Sequence, residues 1–284
     1  MKILHITSTH LEKCSGITEV LKKLVKYQNK IKDITSKVLS VKSPVDKIES
    51  KHFIFYDKYE DIFKYIDIFN PDVVIFHGLY FFKYIRISNY LKSINARYYI
   101  QPHSSFMLSA QKRNIKKYFA NKLVFNKFIN NAYGYIFLNE EEKDKSIFRK
   151  EKDIIIPNGI ENMHENISLK DKNNSEIVIY FIGRIDIKHK GLDLLLEDLK
   201  KIDNKKRNFV LNIYGPGLKT DIKYITKKIK DFKNLKIFYK GPIYDEDKYK
   251  MLKKSNIMIL TSRYEGFPMT VLEALYFGNP CIVS

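Results

Sequence analysis

The segment close to the C-terminus constrains the fold more than any other part of this sequence. It starts with a short apolar run, Ile257–Leu260, of the kind that forms a buried strand, and residues 261–266 then indicate a loop. Pro268 suits the first position of a helix, because its fixed φ fits there and its missing N–H would have lacked a partner anyway. We therefore expect a helix over residues 268–277, stopped by Gly278-Asn279-Pro280.

Two carboxylates bracket the start of this helix. Glu265 lies on the loop and Glu273 lies about one turn inside the helix, so that both can face one crevice. The N–H groups of Met269 and Thr270 point into the same crevice and favour an anion such as phosphate. Because a carboxylate repels phosphate, the two glutamates suit sugar and ribose hydroxyls instead, which indicates a nucleotide-sugar pocket. The alternative is that Glu273 complements the helix dipole and Glu265 is solvated.

The composition predicts a cytoplasmic protein with two domains. A chain of 284 residues is long enough for two domains and a sizeable core. Apolar residues make up 44% of the chain and aromatic residues 14%, which argues against disorder. No apolar run approaches the roughly 18 residues that a membrane span needs. The apolar stretch over residues 1–8 is too short for a signal peptide.

The formal net charge of +19 suits three classes of partner: nucleic acid, an anionic membrane and acidic substrates. Lysine is spread over almost every expected helix, which indicates that most of the charge lies on a solvated surface. The densest basic cluster consists of Lys112, Arg113, Lys116, Lys117, Lys122 and Lys127. Cys14 and Cys281 lie at opposite ends of the chain without the spacing of metal ligands, which indicates free thiols.

The first half of the chain has the order of a doubly wound α/β domain. A strand over Lys2–Thr7 is followed by a polar loop and by a helix that Gly16 opens. An apolar run over residues 72–76 then brings His77 to the end of a strand, and a further strand precedes His103. Ligands of α/β proteins bind at the carboxyl ends of strands, so both histidines are candidate site residues. The sequence leaves open whether His77 contacts a ligand or bonds to a nearby carbonyl.

The remaining elements follow from the same patterns. Strands are expected over residues 36–41, 97–100, 135–138, 153–156, 176–182, 209–214, 235–239 and 281–283. Helices are expected over residues 16–30, 59–69, 80–95, 106–131, 140–150 and 245–254. The polar segment 161–175 is expected to link two domains, 1–160 and 176–284.

Three segments of the sequence resemble, in combination, the motifs of a known family. They are Glu265-Gly266-Phe267 with Glu273-Ala274-Leu275, then Ile156-Pro157-Asn158-Gly159-Ile160, and Gly183-Arg184 with Lys190-Gly191 and Asp193. In combination these segments resemble the retaining glycosyltransferases of the GT-B fold, glycosyltransferase family 4, also called group 1. The resemblance implies an α/β protein with two doubly wound Rossmann-like domains facing across a cleft. The second domain is expected to be truncated, because members of the family continue beyond the equivalent of Ser284.

The resemblance also implies a donor site in the second domain. Arg184 and Lys190 are implied to stabilise the diphosphate, while Glu273 holds the ribose. Glu265 is implied to be a catalytic residue that binds hydroxyls of the donor sugar. The other implied donor-binding residues are Gly16, Ile243, Gly266, Phe267, Met269 and Thr270. No metal-ligand cluster is visible in the sequence, so no metal and no other cofactor is expected.

On the acceptor side the resemblance implies two histidines. His103 corresponds to a catalytic histidine beside the reacting sugar, where a neutral imidazole binds or deprotonates a hydroxyl. His77 corresponds to an acceptor-side residue. The basic segment 106–131 is implied to border the acceptor site and to touch an anionic membrane surface. Ser15 and Ser104 stand where the family usually carries glycine.

The expected function is transfer of a hexosyl unit, with retention, from a nucleotide diphosphate sugar to a saccharide or lipid-linked acceptor. Synthesis of a bacterial surface polysaccharide, on the inner face of the cytoplasmic membrane, is the implied setting. One alternative is an inactive remnant that only binds nucleotide. Another is a basic nucleic-acid-binding protein, although no recognised nucleic-acid motif supports it. Marginal stability or self-association is also expected, because the last strand lacks its following helix.

Overall fold

The computed structural model describes residues 1–8, 16–42, 50–111, 123–161, 176–204 and 208–284. The chain forms two compact units, Met1–Glu161 and Asn162–Ser284. In each unit the named strands pair in parallel and alternate along the chain with helices. The predicted fold class, α/β with two doubly wound Rossmann-like domains, is therefore confirmed. The residues of the predicted connection, 162–175, and most of the basic cluster, 112–122, lie outside the described residues.

The described part of unit 1 contains one sheet with the strand order β3-β2-β1-β4-β5-β6-β7. Its strands are β1 (Lys2–Thr7), β2 (Thr35–Ser40), β3 (Phe53–Phe55), β4 (Val73–His77), β5 (Tyr98–Gln101), β6 (Gly134–Phe137) and β7 (Ile154–Ile155). Its helices are α1 (Gly16–Gln28), α2 (Tyr59–Phe69), α3 (Phe82–Ser93), α4 (Leu108–Gln111), α5 (Asn126–Asn131) and α6 (Glu140–Asp144). The central strands are almost wholly buried, as expected for a parallel sheet covered on both faces.

An aromatic core fixes the carboxyl ends of β1 and β4. The rings of Phe76 and Tyr84 lie 4.9 Å apart, and Phe76 contacts Phe128 edge to face at 5.1 Å. The buried hydroxyl of Tyr84 donates to the carbonyl of His77 and accepts the N–H of Ser8, each at 2.9 Å. This hydroxyl therefore ties the two neighbouring strand ends together at the edge where His77 lies.

The described part of unit 2 contains a second parallel sheet, with the order β10-β9-β8-β11-β12. Its strands are β8 (Ile177–Ile182), β9 (Phe209–Tyr214), β10 (Lys236–Gly241), β11 (Ile257–Leu260) and β12 (Cys281–Val283). Its helices are α7 (Leu192–Lys201), α8 (Lys219–Ile229), α9 (Asp245–Lys254) and α10 (Met269–Tyr276). Since β8 and β11 are parallel neighbours, the loops that follow them leave the same edge of the sheet.

Local predictions differ from the structure at several points; the helix predicted over residues 140–150, for example, ends at Asp144. The helix expected over residues 106–131 is confirmed only in parts: α4 and α5 lie within it, whereas Phe106 lies in a turn and Phe125 is the N-cap of α5. Strand β3 was not predicted, since it has only three residues. Pro268, predicted as the first helical residue, is the N-cap of α10, with φ −74° and ψ 101°, so the helix begins one position later, at Met269.

In the ranges that the structure describes, no helix combines the length and apolarity needed to cross a membrane.

Candidate functional site

Two loops of unit 2 lie in direct contact at the carboxyl edge of its sheet. Loop A, residues 183–191, follows β8, and loop B, residues 261–268, follows β11. Gly191 has φ +62°, and a Cβ added there would lie 1.9 Å from the carbonyl oxygen of Thr261. The hydroxyl of Thr261 in turn donates to the carbonyls of Lys190 at 3.1 Å and Gly191 at 3.2 Å. A glycine at position 191 is therefore required for the loops to approach this closely.

Asp193 and Arg263 brace the two loops from the side. The guanidinium of Arg263 binds Asp193 with both nitrogens, at 2.7 Å and 2.9 Å, and also donates to the Lys188 carbonyl at 2.7 Å. Arg263, with help from Lys188, lowers the pKa of the buried Asp193 carboxyl to about 2. The Asp193 carboxylate therefore stabilises the loops through Arg263 and is not available to a ligand. Arg263 is a site residue that was not predicted from the sequence.

Lys190 and Glu265 form the central ion pair of the site. The ammonium of Lys190 contacts Oε1 of Glu265, and the Ser262 hydroxyl donates to the same oxygen at 2.6 Å. The side chains of Lys190 and Glu265 are only 15% and 23% exposed. The structure thus joins the cation predicted for the diphosphate to the carboxylate predicted for the sugar hydroxyls.

Arg184 extends from loop A beside this pair, and its side chain is 65% exposed. Its Nη2 lies 3.5 Å from Nδ1 of His189 and 3.7 Å from the carboxylate of Asp186. The His189 ring stacks on Tyr264 with centroids 4.2 Å apart, and its Nε2 lies 3.0 Å from the Tyr264 carbonyl. Burial, followed by the charge of Lys190, lowers the pKa of His189. A neutral ring that donates to Tyr264 leaves Nδ1 to accept from Arg184.

The start of α10 adds backbone donors at the end of loop B. The first turn bonds Val271 N–H to the Pro268 carbonyl at 3.0 Å, so Met269 and Thr270 carry the open N–H groups at the helix start. Both residues are half-buried, as is Phe267, whereas Gly266 is buried. The partial positive charge of a helix N-terminus favours an anion here.

Glu273, predicted to hold a ribose hydroxyl, forms an ion pair with a lysine of the neighbouring helix. It is buried in α10, with 6% exposure, and its carboxylate binds the ammonium of Lys248 on α9 at 2.7 Å. Ile243 lies half-buried between β10 and α9, packed on the core. Of the predicted donor residues, Lys190 and Glu265 are therefore in direct contact and Arg184 adjoins them through His189, while Glu273 is held by Lys248.

The predicted site residues of unit 1 lie on a row of histidines. His77 ends β4 and is fully buried, and its Nδ1 lies 3.0 Å from Nε2 of His103 in the turn after β5. On its other side, Nε2 of His77 lies 2.9 Å from Nδ1 of His5. His77 thus bonds to two imidazoles rather than to the carbonyl considered from the sequence. His5 was missed, although it is a polar residue within an apolar strand.

The turn that carries His103 is strained and clamped. His103 and Ser104 have φ of +48° and +67°, in the left-handed region that side chains other than glycine rarely adopt. The buried carboxylate of Glu142 accepts the N–H of Ser104 with one oxygen and the N–H of Leu138 with the other. Burial raises the pKa of Glu142 against the lowering effect of these two bonds. Gly16 is exposed at the start of α1.

Unit 1 also contains a cavity of about 310 Å³. It lies against the sheet face beneath α1, where His5 and Gln28 line it together with Tyr27 and residues 156–161. At its rim the ammonium of Lys26 binds Glu161 at 2.5 Å. The residues of loops A and B do not line this cavity.

Residues 163–284 match the family model described as Glycosyl transferases group 1. Over 251 residues the chain is 28% identical to an uncharacterized glycosyltransferase of Methanocaldococcus jannaschii. That alignment covers 78% of this chain and 57% of the archaeal protein, so the chain spans little more than half the length of this relative.

Two solved structures are similar over the whole chain. The lipopolysaccharide outer core galactosyltransferase WaaB has a TM-score of 0.68 at 17% identity. HepE of Anabaena, in complex with UDP and glucose, has a TM-score of 0.72 at 14% identity. Each comparison covers 100% of this chain and 80% of the other. At these identities the likeness shows a shared fold.

Proposed function

From the premise that residues 163–284 form a domain of the glycosyl transferases group 1 family, we propose that this protein is a glycosyltransferase that uses a nucleotide diphosphate sugar. The predicted group 1 family is confirmed for this domain, and the fold is that of the GT-B enzymes, while retention stays a prediction. The proposed reaction moves a hexosyl unit, with retention, to a saccharide or lipid-linked acceptor. A bacterial surface polysaccharide is the proposed product, consistent with the lipopolysaccharide galactosyltransferase among the structural relatives.

One observation carries the proposal: positive groups from two loops meet at one edge of the unit 2 sheet. Arg184 is exposed there, Lys190 is held by Glu265, and the open end of α10 follows directly in loop B. A nucleoside diphosphate leaving group develops negative charge as the bond to the sugar breaks. Fixed positive groups that need no rearrangement stabilise that charge best. The relative solved with UDP and glucose bound supports this class of ligand.

In this proposal each site residue contacts a different part of the substrates. Arg184 binds two phosphate oxygens with its planar guanidinium, and Lys190 supplies a point charge. Glu265 accepts a hydroxyl of the donor sugar with the oxygen that Lys190 and Ser262 do not occupy. Glu273 accepts a ribose hydroxyl beside its bond to Lys248. His103 serves the acceptor side by accepting a hydroxyl proton, and His77 supports it through the hydrogen bond between the two rings. No metal is included in this proposal.

Release of nucleoside diphosphate tests the proposal. The full chain is incubated with UDP-, GDP- and ADP-hexoses, with and without surface glycan acceptors and with EDTA present. We expect turnover of at least one donor, and a loss of about 100-fold in Arg184→Ala. The matched control is Lys201→Ala, an exposed lysine on α7. Turnover of no donor, with nucleotide still bound, would favour the inactive remnant, and tight salt-dependent binding of nucleic acid would favour the second alternative.

A further inference from the structure

Three histidines of unit 1 form a continuous hydrogen-bonded chain that ends on a glutamine. Nδ1 of His77 lies 3.0 Å from Nε2 of His103, and Nε2 of His77 lies 2.9 Å from Nδ1 of His5. Nε2 of His5 then lies 3.0 Å from Oε1 of Gln28, at the end of α1. We name the four residues Gln28, His5, His77 and His103 the histidine chain.

The sheet itself sets the spacing of this chain. In the pairing of β1 with β4, His5 lies opposite Ile75, and the carboxyl end of β4 brings His77 alongside. In the pairing of β4 with β5, His77 lies opposite Gln101, two residues before His103. The register of the three neighbouring strands β1, β4 and β5 therefore brings the three rings close together.

Burial favours the neutral form of all three rings near neutral pH. Burial lowers the pKa of His5 and of His103 to about 4, and it lowers the pKa of His77 well below its ordinary value. A neutral imidazole has one N–H donor and one acceptor nitrogen. The nitrogen that carries the proton in one ring therefore determines which nitrogen carries it in the neighbouring ring.

The amide oxygen of Gln28 sets the direction. It accepts the Ser36 hydroxyl at 2.6 Å, and as an acceptor it requires an N–H on Nε2 of His5. Nδ1 of His5 is then an acceptor, which requires the N–H of His77 on Nε2. Nδ1 of His77 is then an acceptor as well, so His103 must donate from Nε2, and Nδ1 of His103 carries a lone pair.

We infer that Gln28, acting through His5 and His77, fixes His103 in the Nε2–H tautomer and so presents Nδ1 of His103 as a hydrogen-bond acceptor. Gln28, His5 and His77 are positioning residues, since they act on the substrate only through His103. The role of Nδ1 as acceptor of a sugar hydroxyl rests on the proposed function, whereas the tautomer itself does not. The opposite tautomer would present an N–H donor and would not accept a hydroxyl proton.

A substitution at Gln28 can move the imidazole protons of all three histidines to the opposite ring nitrogens. A lysine at position 28 is a donor only, so Nε2 of His5 would have to accept, and all three protons would move to Nδ1. The side chain of Gln28 is half-buried and lines the 310 Å³ cavity, which leaves room for a hydrated ammonium. Tyr27→Lys is the matched control, because it adds the same charge one position earlier in the same cavity lining.

The tautomers are measured by imidazole ¹⁵N NMR of the full chain labelled with ¹⁵N-histidine, at pH 7.5. The signals are assigned with single His→Gln variants. We expect protonated Nε2 and unprotonated Nδ1 at His5, His77 and His103 in the unmodified protein and in Tyr27→Lys. In Gln28→Lys we expect the reverse at all three residues. A different tautomer at any of the three in the unmodified protein would overturn the inference, as would an unchanged His103 in a folded Gln28→Lys variant.

A kinetic readout separates this inference from the proposed function. We expect Gln28→Lys to lower kcat by about tenfold or more, while binding of UDP, GDP or ADP stays within about twofold, because the proposed diphosphate site lies in unit 2. If the unmodified protein turns over no donor, the proposed function fails, but the tautomer measurement still decides the inference. Reversed tautomers with unchanged kcat would overturn the role of Nδ1.

Discussion

Lys190 and Glu265, 75 positions apart in the sequence, form an ion pair that joins the loops after β8 and β11. The contact orients Lys190 and compensates its charge until a ligand arrives. Under the proposed function, a diphosphate competes with Glu265 for the ammonium, and a sugar hydroxyl then uses the carboxylate that is released. In that proposal the ion pair contacts both the diphosphate and the sugar of the donor.

Glu265→Gln separates these two roles. Without the carboxylate, Lys190 loses its competing anion, so we expect UDP, GDP or ADP alone to bind about threefold to tenfold more tightly. We expect kcat for transfer to fall about 100-fold, since the sugar loses its charged acceptor. Calorimetry and product release measure the two effects. A variant that weakens nucleoside diphosphate binding and transfer equally would show that Glu265 only holds the loop.

Gly191→Ala tests the contact between the loops. The new Cβ would lie 1.9 Å from the backbone oxygen of Thr261 at a φ of +62°, so we expect a loss of about 3 kcal/mol or more in the stability of unit 2. Gly159→Ala is the control, because a Cβ there meets no atom within 4 Å. Urea unfolding of the full chain measures both variants. Equal midpoints would mean that the loops do not require glycine.

The buried pair of Glu273 and Lys248 suits a double-mutant cycle. Their side chains are 8% and 20% exposed, so removal of one partner leaves the other charge largely buried. We expect Glu273→Gln and Lys248→Met each to cost about 2 to 4 kcal/mol of unfolding free energy, and the double variant to cost much less than their sum. If the unfolding free energy lost in the double variant equals the sum of the losses in the single variants, the ion pair does not contribute to stability.

The buried histidine chain predicts a loss of stability in mild acid. Burial lowers the pKa of His5 from 6.5 to about 4, although its bond to Gln28 opposes this. Below pH 6.5 the unfolded chain binds this proton and the folded chain does not, so the contribution of His5 is complete above pH 6.5. It is lost toward pH 4, at about 1.4 kcal/mol per pH unit. Urea unfolding from pH 7 to 4.5 should show a smaller decrease in His5→Gln, and identical slopes would contradict a neutral buried His5.

The sequence predicted those features that local patterns determine. Strands such as β9 and β11 have the predicted bounds, because continuous apolar runs between polar turns form buried strands. The doubly wound class followed from the alternation of strands and helices, which also placed His77 at the carboxyl end of a strand. The helix predicted over residues 106–131 is interrupted at Phe125, the N-cap of α5, although no glycine or proline marks the interruption in the sequence.

The partners of the site residues could not be predicted, because they come from distant segments. Arg263 binds Asp193 across 70 positions, and His5 meets His77 across 72. Lys248 is one of many lysines, and only the packing of α9 beside α10 selects it for Glu273. Such pairings depend on tertiary packing, whereas a sequence motif records only the residues that are close together along the chain.

The central claim is that the edge of the unit 2 sheet binds the diphosphate of a nucleotide sugar. Isothermal titration calorimetry of the full chain with UDP, GDP and ADP tests it most directly, with Arg184→Ala and the control Lys201→Ala measured in parallel. We predict saturable binding of at least one of the three, weakened about tenfold or more in Arg184→Ala and unchanged in Lys201→Ala. Binding of none of them, or equal binding by Arg184→Ala, would contradict the account.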